Sequence, residues 1–295
     1  MTLGNAPTLT IGLPVYNGER YLRQALDSLL AQTFTDFELV ISDNASTDST
    51  PSICREYAEM DQRIRYVQQP TNIGAGPNHN LLPGLARGRY FKWASHDDLY
   101  DPDLIRLCME QFREHPDAIL VHAWDARIDP EGKVSEPTPY VLDTANPSPA
   151  ARLRSLLRDP GGDDFYGVMR TDVLVRRGPH DSHFNADRTF MAGLVLYGPF
   201  YQVPQVLYFR REHPDRLTRS SLRRKVAGLD PKRADRLRHP TARLYAEYLI
   251  GNFRAVQQAP LTAAERRRCH REVVGWMGSV AVRALRTRQL RSEIQ

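Results

Sequence analysis

Tyr90-Phe91-Lys92-Trp93-Ala94, followed at once by Ser95-His96-Asp97-Asp98, is the stretch on which the reading of this chain turns. A short run dominated by aromatic and apolar residues predicts a buried strand. Two adjacent carboxylates stand at its end, where they repel each other unless something neutralises them. A divalent cation does so when it joins one or two carboxylates to substrate phosphates, and Mg²⁺ or Mn²⁺ prefers such oxygen ligands. A solvated acidic pair capping the helix expected from Pro102 accounts for the same residues.

Upstream, the same strand-then-loop pattern recurs three times. Leu9 to Val15 reads as a strand ending in a turn at Asn17-Gly18, and Tyr21, Leu22, Ala25, Leu26, Leu29 and Leu30 follow at helical spacing. Phe37 to Ile41 is a second strand, after which Thr50 is expected to cap a helix that has Pro51 at its first position. Ile64 to Val67 is a third strand, with a helix from about Gly76 to Ala86. Alternation of this kind predicts a parallel sheet with right-handed crossovers. Ligands of such sheets bind at the carboxyl ends of the strands, which selects the loops after Val15, Ile41, Val67 and Ala94.

Those loops carry distinctive residues. Asp43-Asn44 sits at a strand tip and can bond a base or ribose edge, whereas Ser46-Thr47-Asp48 suits a helix cap. Pro14, near the end of an otherwise central strand, is expected to free that end from pairing and let Val15-Tyr16-Asn17 meet a ligand; plain turn chemistry is the alternative. Asn72-Ile73-Gly74-Ala75-Gly76 lacks the third glycine of a dinucleotide fingerprint, because His79 stands in its place. No GxxxxGK[ST] and no GxSxG is present, which disfavours a P-loop ATPase and an α/β-hydrolase.

The second half is read more coarsely. Ala118 to Ala123 reads as a strand, Asp129 to Pro149 as a long loop, and Phe165 to Val175 and Tyr201 to Arg210 as strands flanking a helix from about Asp187 to Tyr197. From Arg219 onward the text is helical and Arg-rich, with an apolar stripe at Tyr245, Tyr248, Leu249, Phe253 and Val256. The 295 residues carry a net charge of +5, with 41% hydrophobic and 25% charged residues, ordinary for a globular protein with a real core. From Arg210 on there are roughly three basic residues for each acidic one, which suits a solvated face, an anionic membrane surface or a phosphate-bearing substrate. No nucleic-acid module accompanies these arginines, so nucleic acid is not an expected partner. Three scattered cysteines at 54, 108 and 269 fit a reducing compartment. Met1 to Thr8 lacks the features of a signal peptide, and no apolar run approaches the roughly 18 residues of a membrane span. The expectation is a cytoplasmic protein, with peripheral contact at the inner face of the membrane left open.

The joint pattern at four successive strand ends resembles family 2 glycosyltransferases of the GT-A fold, over about Thr8 to His213. Pro14-Val15-Tyr16-Asn17 resembles the family's opening motif, and Ser28 to Thr33 with Phe37 to Ile41 resembles its next block. Asp43 to Asp48 resembles Asp-Asp-Gly-Ser-Thr-Asp, and Asn72-Ile73-Gly74 with Asn80 resembles the segment before the metal motif. Ser95-His96-Asp97-Asp98 resembles that motif, with Ser95 where many members have its first Asp; Ala186-Asp187 stands where many have Glu-Asp.

The resemblance implies a Rossmann-like, mostly parallel sheet flanked by helices. Residues 1–213 would be the catalytic domain and 214–295 a basic helical extension. It implies metal-dependent, inverting transfer of a sugar from a nucleoside diphosphate to an acceptor hydroxyl, with UDP ahead of dTDP and GDP. Acceptors in polysaccharide, glycolipid or natural-product synthesis all suit it. Pro14, Tyr16, Asn17, Asp43 and Asn44 would face the nucleotide, joined by Asn72, Gly74, Asn80 and His96. Asp97 would hold Mg²⁺ or Mn²⁺, with Asp98 on the sugar or supporting the metal. His213 is either a third ligand or a satisfied loop histidine. Asp187 would be the base, with Asp163 and Asp164, after Gly161-Gly162, as a fallback. A nucleotide-sugar-binding protein without turnover, and a nucleotidyltransferase, are the competing readings.

Overall fold

A computed structural model of the chain describes residues 6–158, 163–183, 185–214, 216 and 221–293, without the side chains of 136, 163 and 281–293. Its first half is the expected alternation: β1 (Leu9–Val15), α1 (Leu22–Leu30), β2 (Phe37–Asp43), α2 (Thr50–Met60), β3 (Ile64–Gln68), α3 (Ala75–Leu85) and β4 (Tyr90–Trp93). β5 (Leu99–Tyr100), α4 (Leu104–Glu114), β6 (Leu120–Ile128), β7 (Val134–Thr138) and α5 (Pro149–Arg158) follow. Then come β8 (Val168–Arg170), α6 (Thr171–Arg177), α7 (Ala186–Leu194), β9 (Phe200–Arg211), α8 (Leu222–Leu229), α9 (Thr241–Gln258) and α10 (Ala263–Glu293).

One sheet runs β3-β2-β1-β4-β8-β6-β9-β5, with β7 paired to β6. β3, β2, β1 and β4 are mutually parallel, β8 is antiparallel to both β4 and β6, and β6 and β9 are parallel to each other. The resulting α/β architecture places the carboxyl ends of β1, β2 and β4 along one edge. Both faces are covered, so β1 and β2 are buried at every position and read as continuous rather than alternating apolar runs. Leu9, Ile11 and Leu13 pack with Leu22, Leu26 and Leu29 of α1 in one core. Phe91 and Trp93 project into a second core with residues of α5 and α7.

Trp93 organises that second core. It is 1% exposed, stacks on Phe165 at 4.6 Å between ring centroids, and meets Phe190 edge-on at 5.7 Å. Trp93→Ala is expected to cost about 3–5 kcal/mol, read from the midpoint of urea unfolding. A loss under about 1 kcal/mol would show that the core collapses around the gap.

Several expectations need correction. Phe165 to Val175 is not a strand: a 3₁₀ turn covers Asp163–Tyr166, β8 takes three residues, and α6 begins at Thr171. The chain turns there because Thr171 N donates to Arg89 O and its hydroxyl to Gly88 O, which fixes the helix start; α6 then buries Val173 and Leu174 and exposes Val175. Asp129 to Pro149 is not all loop, since β7 extends the sheet at an edge, where Pro137 is tolerated. α4 starts at Leu104 and not Pro102, because Asp101 accepts from Asp103 N with its side chain at 2.9 Å and from Leu104 N with its carbonyl, so Asp101 to Asp103 form a turn ahead of the helix. Ser49, not Thr50, precedes α2; the Thr50 hydroxyl instead accepts from Gly18 N at 2.8 Å.

The basic C-terminal segment is helical from Leu222 to Leu229 and again in α9 and α10, while Arg219 lies outside the described residues. α9 packs on α7 and α10 on α5, so Val256, Cys269, Val273 and Trp276 complete the second core. Of the stripe expected there, Tyr245 is 48% exposed. All three cysteines are buried and unbonded. Among the described residues no helix is long and apolar enough to cross a membrane.

Candidate active site

Two strand ends build the site. After β4, Ala94 N makes a last bond to Gly12 O, and the chain turns under Tyr100, whose hydroxyl accepts from Ser95 N at 2.7 Å and donates to Ser95 O at 3.1 Å. The Ser95 hydroxyl donates to the Asp97 carboxylate. From the end of β9, His213 brings its Nε2 to 2.9 Å from Asp97 Oδ2. Asp97 and His213 are 6% and 7% exposed.

Asp98 faces the other way. It is 0% exposed, and its oxygens receive the Tyr208 hydroxyl, Arg211 N at 2.9 Å and Arg216 Nη1 at 3.1 Å. The adjacent carboxylates are thus relieved by a guanidinium, which also stands 4.0 Å from Asp97. Burial pushes the Asp98 carboxyl up, Asp97 adds to this, and Arg216, Tyr208 and the Arg211 amide oppose it. Burial acts on Asp97 in the same sense but is outweighed by His213, His96, Arg216 and Ser95, so Asp97 is held below the usual carboxylate range. Asp98 is thus held by protein donors, and among the described residues no three His, Cys, Asp or Glu side chains converge as a metal site.

Arg211 ties these parts together. Fully buried, its Nε donates to Asp97 O at 2.9 Å, Nη1 to Pro130 O at 2.9 Å, and Nη2 to Gln24 Oε1 at 2.8 Å. Its guanidinium lies 4.6 Å from the Tyr21 ring centroid, and Tyr21 in turn packs against the His213 ring at 5.1 Å.

The loops expected to meet a nucleotide are brought together, but mostly by bonding one another. Asp43 is fully buried and accepts from Ser46 N at 2.9 Å and Tyr66 OH at 2.7 Å. Asn44 donates to Asn72 Oδ1 at 3.0 Å and accepts from Ile73 N, while Asn72 also accepts from Gly74 N, where φ is 93°. Asn17 Oδ1 accepts from Thr47 N at 2.9 Å. Asp43 and Asn44 set the shape of the cleft more than they line it, whereas 43%-exposed Tyr16 and the exposed Asn17 and Asn72 are open to a ligand. Pro14 does not free the strand end as expected: Pro14 and Val15 still pair with Ser42 and Asp43 of β2, and the end is open only toward β4, where pairing stops at Gly12. Asn80 needs correction: it bonds the His180 backbone in both directions, at 2.8 and 3.0 Å, and joins α3 to the segment before α7.

Asp187 lies in the first turn of α7, exposed, entered through Asn185 at φ 55°, a left-handed position that Asn tolerates. Its charge reaches buried His180, whose ring is 5.9 Å from that of His79; His79 in turn feels His96. Burial, and then His180, lower the His79 pKa to about 4. Burial lowers the His180 pKa as well, so two imidazoles of depressed pKa stand side by side here. Of the fallback pair, Asp164 is buried against Tyr140 and Arg188; Gly161-Gly162 lies outside the described residues, as does the side chain of Asp163. A groove of about 620 Å³ beside Thr8, Asp36 and Arg113 sits at the opposite ends of the strands.

The sequence profile of glycosyl transferase family 2 matches residues 10–180, more than half of the chain. The chain belongs to glycosyl transferase family 2. Among curated relatives of this family 2 chain, the chondroitin synthase of Escherichia coli is 35% identical over 133 residues, 45% of this chain and 19% of that protein. The hyaluronan synthase of Pasteurella multocida is 28% identical over 132 residues, 45% of this chain and 14% of that one. The matched segment spans less than a fifth of either relative. Among solved structures, S. aureus TarS 1-349 in complex with UDP-GlcNAc superposes with a TM-score of 0.69 at 18% identity, over 92% of this chain and 73% of that one. The mannosyltransferase PcManGT from Pyrobaculum calidifontis, in complex with GDP-Man and Mn²⁺, gives 0.54 at 19%, over 96% and 81%. These likenesses show a GT-A type fold.

The family 2 profile ends before Asp187, His213 and Arg216. Sequence reasoning missed Tyr208, Arg211 and Arg216 altogether. The one available signal was Arg210-Arg211-Glu212-His213, read only for its histidine.

Proposed function

We propose that this family 2 chain transfers a sugar, with inversion, from a nucleoside diphosphate to an acceptor hydroxyl, with UDP as the first donor to test. The observation that carries this is the buried Asp97–His213 pair at the carboxyl-terminal strand edge. One carboxylate oxygen and one imidazole nitrogen, 2.9 Å apart, fit Mg²⁺ or Mn²⁺ as a two-residue protein share, with the remaining positions left to the diphosphate. The ion would supply Lewis-acid neutralisation of the leaving diphosphate. Arg216 adds a fixed positive charge beside the same carboxylates. Ser95, in place of a first Asp, orients Asp97 by its hydroxyl. Tyr16 and the loops organised by Asn17, Asp43, Asn44, Asn72 and Gly74 would seat the nucleoside, with His96 toward the sugar. Asp187 would take the acceptor proton as bonding develops. In this reading residues 1–213 form the donor and catalytic unit, and 214–295 help present the acceptor.

Calorimetric titration with UDP, GDP and dTDP, each with Mn²⁺ and with EDTA, tests the donor site. Metal-dependent binding of one nucleotide is expected; a folded protein that binds none would sink the reading. A glycan-lipid acceptor at an anionic membrane face is supported by α10, whose exposed side carries Arg267, Arg268 and Arg271 beside 58%-exposed Val274. Co-sedimentation with vesicles containing phosphatidylglycerol is expected and should be lost in high salt. Equal recovery with neutral vesicles would remove the membrane from the proposal.

A further inference from the structure

Lys92 is a charge in the middle of a buried strand, 1% exposed, and among the described residues no carboxylate pairs with it. A buried ammonium without a carboxylate partner is costly, so its surroundings are informative. It projects from β4 on the side opposite Phe91 and Trp93. Its Nζ donates to the Tyr166 carbonyl and lies over two aromatic rings, 5.1 Å from the centroid of Tyr100 and 5.8 Å from that of Tyr208. The two rings stack on each other, 5.7 Å apart and 24° from parallel. A cation held over ring faces is attracted by their negative quadrupoles, most strongly where water is excluded.

Each of those tyrosines has its hydroxyl on the loop that carries Asp97. Tyr100 bonds Ser95 N and O on one side, and Tyr208 donates to Asp98 on the other. Burial lowers the Lys92 pKa to about 8, against which the Cys108 and Asp98 charges act.

We propose that Lys92 is a positioning residue: its ammonium clamps Tyr100 and Tyr208 by their faces, and their hydroxyls fix both shoulders of Asp97. No role in contacting substrate follows. Its consequence for donor binding rests on the transferase reading above, whereas its effect on the loop does not.

The test is Lys92→Met in the full chain. Methionine keeps the length and much of the volume of lysine and removes the charge, so a side chain that only fills space would leave the loop unchanged. Amide exchange across residues 95–100 is expected to quicken about tenfold while β1 and β2 keep their protection. Affinity for UDP with Mn²⁺ is expected to fall about tenfold, the usual scale for residues that orient a ligand-bearing side chain. Lys92→Gln, which keeps a donor for the Tyr166 carbonyl without the charge, is measured alongside and decides the matter if the Met variant does not fold. Wild-type protection at 95–100 in the folded variants would overturn the proposal. Faster exchange in variants of a protein that binds no nucleotide at all would uphold the clamp and sink the donor reading instead.

Discussion

Asp97→Asn is expected to weaken Mn²⁺-dependent UDP binding about 100-fold and to lower turnover by about 10³, the range seen when a charged group facing the developing charge is removed. The amide keeps the size of the carboxylate but loses its charge, and with it the charge-assisted bond at His213 and the anion beside Arg216. The fold should survive, because Arg216 remains paired with Asp98, and Tyr208 and the Arg211 amide still hold that carboxylate. Calorimetry and initial rates separate the two effects. Wild-type affinity in the variant, with metal still required, would place the ion elsewhere. Because Asp97 is held below the usual carboxylate range, its charge persists as the pH falls toward ~4, the ordinary value for Asp. Donor binding is therefore expected to stay flat through mildly acidic pH as far as this group is concerned.

Asp187→Asn is expected to cut turnover by about 10²–10⁴, the contribution of a positioned general base, with UDP affinity and melting temperature close to wild type. The side chain is exposed, and among the described residues it accepts from the neighbouring Arg188 amide at 2.9 Å, so little stability depends on it. Single-turnover rates at saturating donor give the measurement. Undiminished turnover would leave Asp187 as a helix-end carboxylate. A collapse of UDP affinity would move it to the donor side of the cleft.

The first half of the fold was legible because each parallel strand is buried on both faces, and such strands stand out as apolar runs between turn residues. The placement of Asp97 just beyond β4 was legible for the related reason that a strand of this kind has a defined carboxyl end. The fate of Asp98 was not. Its partners come from as far as 118 positions along the chain, and no local pattern says that Arg216 will reach it. The region from Phe165 to Val175 misled because it is apolar without a period, and what breaks it is the pair of bonds from Thr171 to Arg89 and Gly88. Asn80 misled in the opposite way: a residue that fits a binding motif serves here to hold the His180 backbone.

Arg211 has a mechanical consequence. One side chain grips the backbone of the Asp97 loop, the turn at Pro130 and the first helix, only two residues before His213. The carboxylate and the imidazole therefore cannot drift apart unless several anchors release together, and the spacing between them behaves as a rigid jaw. Any motion that admits the donor or frees the product must be made by other walls of the cleft, while this corner stays still as their fulcrum.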